Sequence, residues 1–288
     1  MMEFKNINTM RTLNNGVKIP CVGYGTFRTP ADVAEKAVAD AIEVGYRHID
    51  TAAVYGNEEA VGRGIKDSGI DRKRLFVTSK LWNTERGYES TKKAFQATLD
   101  RLDMDYLDLY LIHWPANEKQ FGADAKKLNA ETWRAMEDLY HEGKIRAIGL
   151  SNFMPHHVAD LLETAEVKPM VDQIEVHPGW PHTEEVKKLQ SMDLLVEAWA
   201  PLGGQGSTVL TNPTLQDIAD RHHKTVAQVC LRWVLQQNIL PLPKSVHVDR
   251  MKQNTDFFDF ELSNDEMKQI SALRDLGGQC ADPDAVDY

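Results

Sequence analysis

Short runs of β-branched and aliphatic residues alternate along this chain with longer stretches whose apolar positions recur every three to four residues. The short runs are Val22–Gly25, Arg47–Asp50, Leu75–Lys80, Leu107–His113, Ile145–Ser151, Met170–Glu175, Leu194–Trp199 and Ile239–Pro243. Their length and make-up predict strands. The longer stretches include Val33–Ile42, Ser90–Leu102, Ala130–Glu142, Pro155–Thr164 and Val226–Gln236, and their period predicts amphipathic helices. Gly45 and Gly143 follow helical runs, where a C-cap residue is wanted.

Repeated strand–helix units joined by short connectors predict parallel strands closed into a (β/α)8 barrel. Ahead of them, Met10–Cys21 carries Asn14-Asn15-Gly16 between short polar–apolar runs. That pattern predicts a β-hairpin, expected to cap the barrel bottom. With no low-complexity linker and no break in composition, one domain over residues 1–288 is expected. Gly277–Tyr288 is rich in Gly and Asp and reads as a surface tail. A doubly wound open sheet is the competing fold. Its dinucleotide fingerprint is absent, because Gly23-Tyr24-Gly25-Thr26 lacks the third glycine and leads into Phe27-Arg28-Thr29-Pro30 rather than a helix.

Four polar residues sit at or just beyond predicted strand ends: Asp50, Tyr55, Lys80 and His113. In a barrel, the C-terminal strand ends build the active site. A phenol can give a proton to a developing alkoxide, but its ordinary pKa of about 10 is high for an acid working near neutrality. An ammonium about 4 Å away favours the phenolate by about 4 kcal/mol at an effective dielectric of 20. That ceiling is worth about 3 pKa units, enough to bring Tyr55 near working pH. Asp50 would keep Lys80 charged and oriented. His113 could donate a hydrogen bond to a substrate oxygen. Together the four suit delivery of a proton to a carbonyl.

A net charge of −10 argues against nucleic acid as a partner. No apolar run approaches a membrane span, and the N-terminus carries no signal-peptide pattern. Cys21, Cys230 and Cys280 are odd in number and in no metal-ligand spacing, which suits a reduced, cytoplasmic setting.

Several segments closely resemble the aldo-keto reductase family, in the family's order and across almost the whole chain. They are Gly45–Ala52 with Tyr55-Gly56-Asn57-Glu58, Lys80-Leu81-Trp82-Asn83, His113-Trp114-Pro115, Gly149–Phe153, Gln173–Pro178 and Pro243-Lys244-Ser245. The resemblance implies metal-free hydride transfer from NADPH to an aldehyde or ketone. It makes Tyr55 the acid, Lys80 and Asp50 its tuning pair, and His113 the substrate orienter. Ser151, Asn152 and Gln173 match positions that bind the nicotinamide carboxamide, and Trp199 matches the ring that stacks on it. Gly25, Thr26, Asp50, Ala200, Leu202 and Gly204 are placed beside the cofactor in the same way. Lys244, Ser245 and Arg250 match the adenosine 2′-phosphate pocket, with Gln253 and Asn254 near the adenine. Gln253 departs from the glutamate common among relatives.

Tyr24, Phe27, Trp82, His113 and Trp114 match the substrate pocket, and Arg28 beside them suits either an anionic substrate or the surface. The short tail resembles that of bacterial members such as 2,5-diketo-D-gluconate reductases, implying an open pocket for small carbonyl compounds, and many relatives are monomers. Two other readings use the same residues. A Schiff-base aldolase would need Lys80 neutral, which Asp50 opposes. A cofactor-sensing regulatory subunit would keep the cofactor site and turn over slowly.

Overall fold

A computed structural model describes residues 4–278 and 281–288. The chain opens with an antiparallel hairpin of β1 (Met10–Thr12) and β2 (Lys18–Pro20). Eight parallel strands follow: β3 (Tyr24–Gly25), β4 (His48–Asp50), β5 (Phe76–Leu81), β6 (Leu107–Ile112), β7 (Ile145–Ser151), β8 (Val171–Glu175), β9 (Leu195–Trp199) and β10 (Leu240–Pro241). They pair in chain order. The ring closes where the Gly23 and Gly25 N–H groups donate to the Pro241 and Pro243 carbonyls at 3.1 Å each. Every predicted strand is present, with ends shifted by up to two residues. The (β/α)8 expectation therefore holds.

Helices α1 (Ala31–Val44), α2 (Glu58–Asp67), α3 (Tyr88–Leu102), α4 (Glu118–Phe121), α5 (Ala125–His141), α6 (Pro155–Leu162), α7 (Thr183–Ser191), α8 (Pro213–His222), α9 (Val226–Gln236), α10 (Val248–Gln253) and α11 (Asn264–Ser271) connect or flank the strands. Local chemistry sets several of their starts. Thr225 and Gln228 form a reciprocal capping box on α9, as do Ser263 and Glu266 on α11. Gly45 and Gly143 end α1 and the turn after α5 at positive φ, as their positions predict.

The hairpin lies across the N-terminal ends of the strands. Arg11 donates to Asn238 ahead of β10, Asn14 to the Pro169 and Asp193 carbonyls ahead of β8 and β9, and Asn15 to the Arg146 carbonyl in β7. That end of the barrel is thus plugged, leaving the C-terminal end open for chemistry.

The tail differs from expectation. Val286 is buried, the Asn117 side chain donates to the Pro283 and Val286 carbonyls, and Asn83 donates to the Tyr288 carbonyl. Asp284 accepts from the adjacent rings of His156 and His157 on α6. Side-chain donors to backbone carbonyls, which composition does not report, dock residues 281–288 over the open end of the barrel. Cys21 and Cys230 are free and buried; Gln279 and Cys280 lie outside the described residues. Among the described residues, no helix is long and apolar enough to cross a membrane.

Candidate active site

The C-terminal ends of β4, β5 and β6 bring the four sequence-predicted groups together. Lys80 is completely buried, and its Nζ donates to Asp50 Oδ1 at 2.6 Å and to the Thr51 carbonyl at 2.9 Å. The same nitrogen lies 3.4 Å from the Tyr55 hydroxyl. Tyr55 ends the short helical turn after β4, and its ring meets His113 edge-on at a centroid distance of 5.8 Å. Adjacent parallel strands place residues of matched register about 4.8 Å apart. Three consecutive strand ends and one turn are therefore enough to gather the group.

The electrostatics follow from burial. Burial works against the Lys80 ammonium, but Asp50 and Tyr55 outweigh it and its pKa is raised. The lysine stays charged, which removes the neutral amine that a Schiff-base aldolase requires. Burial lifts Tyr55 above the ordinary phenol value; Lys80 pulls it down and Asp50 pushes it up, with a net rise. This corrects the expectation that Lys80 alone brings the phenol near neutrality, because desolvation of the phenolate dominates. Tyr55 is consequently protonated throughout the neutral range. Burial, aided by Lys80, holds His113 well below the usual imidazole value. A neutral ring has one N–H to donate, and its Nδ1 is buried with no partner among the described residues.

These groups open into a cavity of about 690 Å³ lined by Phe27, Arg28, Trp82, Trp114, Ser151, Asn152, Gln173, Trp199 and others. Ser151 Oγ donates to the Gln173 carbonyl, and Asn152 Nδ2 donates to the His113 carbonyl. The Trp199 indole N–H donates to Asn152 Oδ1 at 3.0 Å. Arg28, Asn152 and Ala200 line this cavity with φ of 54°, 60° and 48°. Such left-handed backbone persists where surrounding contacts enforce it.

Gly25, Asp50, Leu202, Gly204 and Lys244 also reach the lining. Thr26 does not; it is buried with its Oγ1 donating to the Asp50 carbonyl. Tyr24 is likewise displaced from the predicted pocket wall. It is buried against Tyr46 and donates its hydroxyl to the Ser245 carbonyl at 2.6 Å. Ser245, Arg250, Gln253 and Asn254 lie beyond the cavity, on the segment that follows Lys244 and forms α10. Arg28 lines the opening, held by Gln205 Oε1 at 3.1 Å.

Sequence reasoning missed Tyr288 and Glu197. Tyr288 stacks on Trp82 at 6.0 Å and meets Trp114 edge-on at 5.4 Å, completing the aromatic wall. Nothing in the local pattern signals this. Glu197 did have a signal, an acid inside the apolar strand Leu195-Val196-Glu197-Ala198-Trp199.

The profile that describes the Aldo/keto reductase family matches residues 21–275. A glyoxal reductase of Bacillus subtilis (strain 168) is 50% identical over 262 residues, covering 91% of each chain. The crystal structure of an aldo-keto reductase from a Medee basin deep-sea metagenome library superposes with a TM-score of 0.90 at 44% identity, over 96% of this chain and all of that one. A Bombyx mori aldo-keto reductase in complex with NADP gives 0.84 at 37% identity, over 91% of each. The chain belongs to the aldo-keto reductase family.

Proposed function

We propose that this protein reduces small aldehydes and ketones with NADPH, Tyr55 acting as proton donor. The observation that carries the reading is the buried Asp50–Lys80–Tyr55 chain opening beside a neutral His113. When bound, a reduced nicotinamide supplies the hydride. The protein's own part is to bind, orient and protonate. Tyr55 gives its proton to the carbonyl oxygen, and the positive charge of Lys80 eases that loss. The neutral His113 donates one hydrogen bond to the same oxygen, where negative charge develops. Asp50 keeps Lys80 charged through the step.

The residues present suit the cofactor. Trp199, Ser151, Asn152 and Gln173 share one wall of the cavity, a flat ring beside polar amides. Past β10, Lys244 and Arg250 are exposed and have no acidic partner among the described residues. Two uncompensated cations in a chain of net charge −10 suit a phosphate, and with Ser245 they would hold the 2′-phosphate, with Gln253 and Asn254 beside the adenine. The substrate is a small carbonyl compound such as glyoxal, methylglyoxal or 2,5-diketo-D-gluconate. Phe27, Trp82, Trp114 and Tyr288 leave room at an aromatic mouth with few polar groups. Consumption of NADPH and NADH, followed by absorbance against these compounds, tests the reading. NADPH-preferring turnover is expected, and absence of turnover on every carbonyl would defeat it.

A further inference from the structure

Glu197 is buried completely inside the barrel, between Gln173 of β8 and Leu240 of β10 in register. A carboxyl at such a place carries a desolvation cost that a leucine would not. Its Oε2 accepts from Gln173 Nε2 at 2.8 Å, while Oε1 has no partner among the described residues. The same Gln173 nitrogen donates to Asp50 Oδ2 at 2.9 Å. Both amide hydrogens of Gln173 are thereby committed to carboxyl oxygens. A carboxamide has two donors on nitrogen and an acceptor on oxygen, so two carboxyl acceptors define which way this one points.

Resting on the NADPH-dependent reading above, we infer that Glu197 is a positioning residue. It fixes Gln173 with the amide oxygen turned to the cavity, as the acceptor for an amide N–H of the nicotinamide, and its charge state acts on Tyr55 through Asp50 and Lys80. The charged groups that face it are Asp50 from β4, Lys80 from β5 and Arg11 from the hairpin. Burial first and Asp50 second push its carboxyl up to about 8, against the Gln173 hydrogen bond, Lys80 and Arg11. Glu197 therefore holds its proton at neutral pH and ionises on the alkaline side. Once ionised, it adds negative charge beside Asp50, which favours the protonated form of Tyr55.

Two variants separate positioning from charge. Glu197→Leu removes the acceptor, and NADPH binding, read by quenching of tryptophan fluorescence, should weaken about tenfold, the worth of one buried hydrogen bond. Glu197→Gln can present an amide oxygen to Gln173, so its NADPH binding should stay close to wild type. Lacking the ionisable group, it should move the alkaline limb of kcat/KM for reduction to lower pH. A third readout needs no cofactor. The folded carboxyl keeps a proton that the unfolded one loses above its ordinary value of 4.5, so wild-type stability should fall as pH rises from there towards 8. Glu197→Gln should lack that fall. Wild-type NADPH affinity in Glu197→Leu, or an unmoved alkaline limb in Glu197→Gln, overturns the inference alone. A wild-type protein that fails to bind NADPH overturns the parent reading, and the role of Glu197 with it.

Discussion

Replacing Lys80 with methionine removes an ammonium from a position with no solvent exposure and leaves an apolar chain of similar reach. Asp50 Oδ1 then loses a partner at 2.6 Å, while Oδ2 keeps Gln173. At an effective dielectric of 20, that ion pair is worth at most about 6 kcal/mol. Breaking a buried pair from one side costs about 3–5 kcal/mol, because the remaining charge stays buried. Urea unfolding of the cofactor-free protein should show a loss in that range for Lys80→Met. Asp50→Asn should also be costly, since it removes the negative charge beside the buried ammonium and turns an amide N–H towards the Gln173 donor. The double variant should lose less than the two singles together, by about 1–3 kcal/mol of coupling. A loss below about 1 kcal/mol for Lys80→Met, with additive behaviour in the double variant, would refute the buried pair as the organiser of the site. Activity gives a second check. Without a charge 3.4 Å from its oxygen, Tyr55 becomes a poorer acid, and kcat should fall within the range of about 10²–10⁴ that general acids contribute.

Tyr55→Phe should bind NADPH as the wild type does and lose carbonyl reduction by about 10²–10⁴; undiminished turnover would remove Tyr55 from the proton step. Arg250→Ala should weaken NADPH binding and leave NADH binding nearly unchanged, which titration by fluorescence would show; equal losses would place the 2′-phosphate elsewhere. Asp284→Ala removes the acceptor shared by His156 and His157. Hydrogen exchange over residues 281–288 should quicken, and KM should change more for bulky carbonyls than for glyoxal, because Tyr288 is part of the aromatic wall. Unchanged exchange would mean that the contacts from Asn83, Asn117 and Lys119 hold the tail without Asp284.

Much of this architecture was legible in residue order. Alternating strand and helix periods located all eight barrel strands, because a strand enclosed by helices must be apolar throughout. The terminal polar residues of Arg47–Asp50, Leu75–Lys80 and Leu107–His113 then stood out as exceptions, and in space those exceptions converge at the open end of the barrel. Helix α2 was harder to read. Its Glu58 is buried against Ser79 and Arg101, at 2.5 and 2.6 Å, and Gly62 and Gly64 interrupt its apolar stripe. Both glycines mark close approach: a Cβ would come within 2.3 Å of the Leu102 carbonyl oxygen and 2.4 Å of that of Glu35. A buried acid and two glycines disguise a helix whose logic lies in its neighbours.

Periodicity and short motifs at strand ends were enough to set the barrel, the four groups at its open end and the reaction class. How those groups are tuned, and what else surrounds them, depends on the closed fold. Tyr55 lies above rather than below its ordinary value, because desolvation depends on enclosure from every side. Tyr24 turns into the core, Tyr288 folds back more than 200 positions to face Trp82, and Glu197 meets Asp50 through Gln173. Contacts between distant segments leave no local period, so they become visible only when the chain has closed on itself.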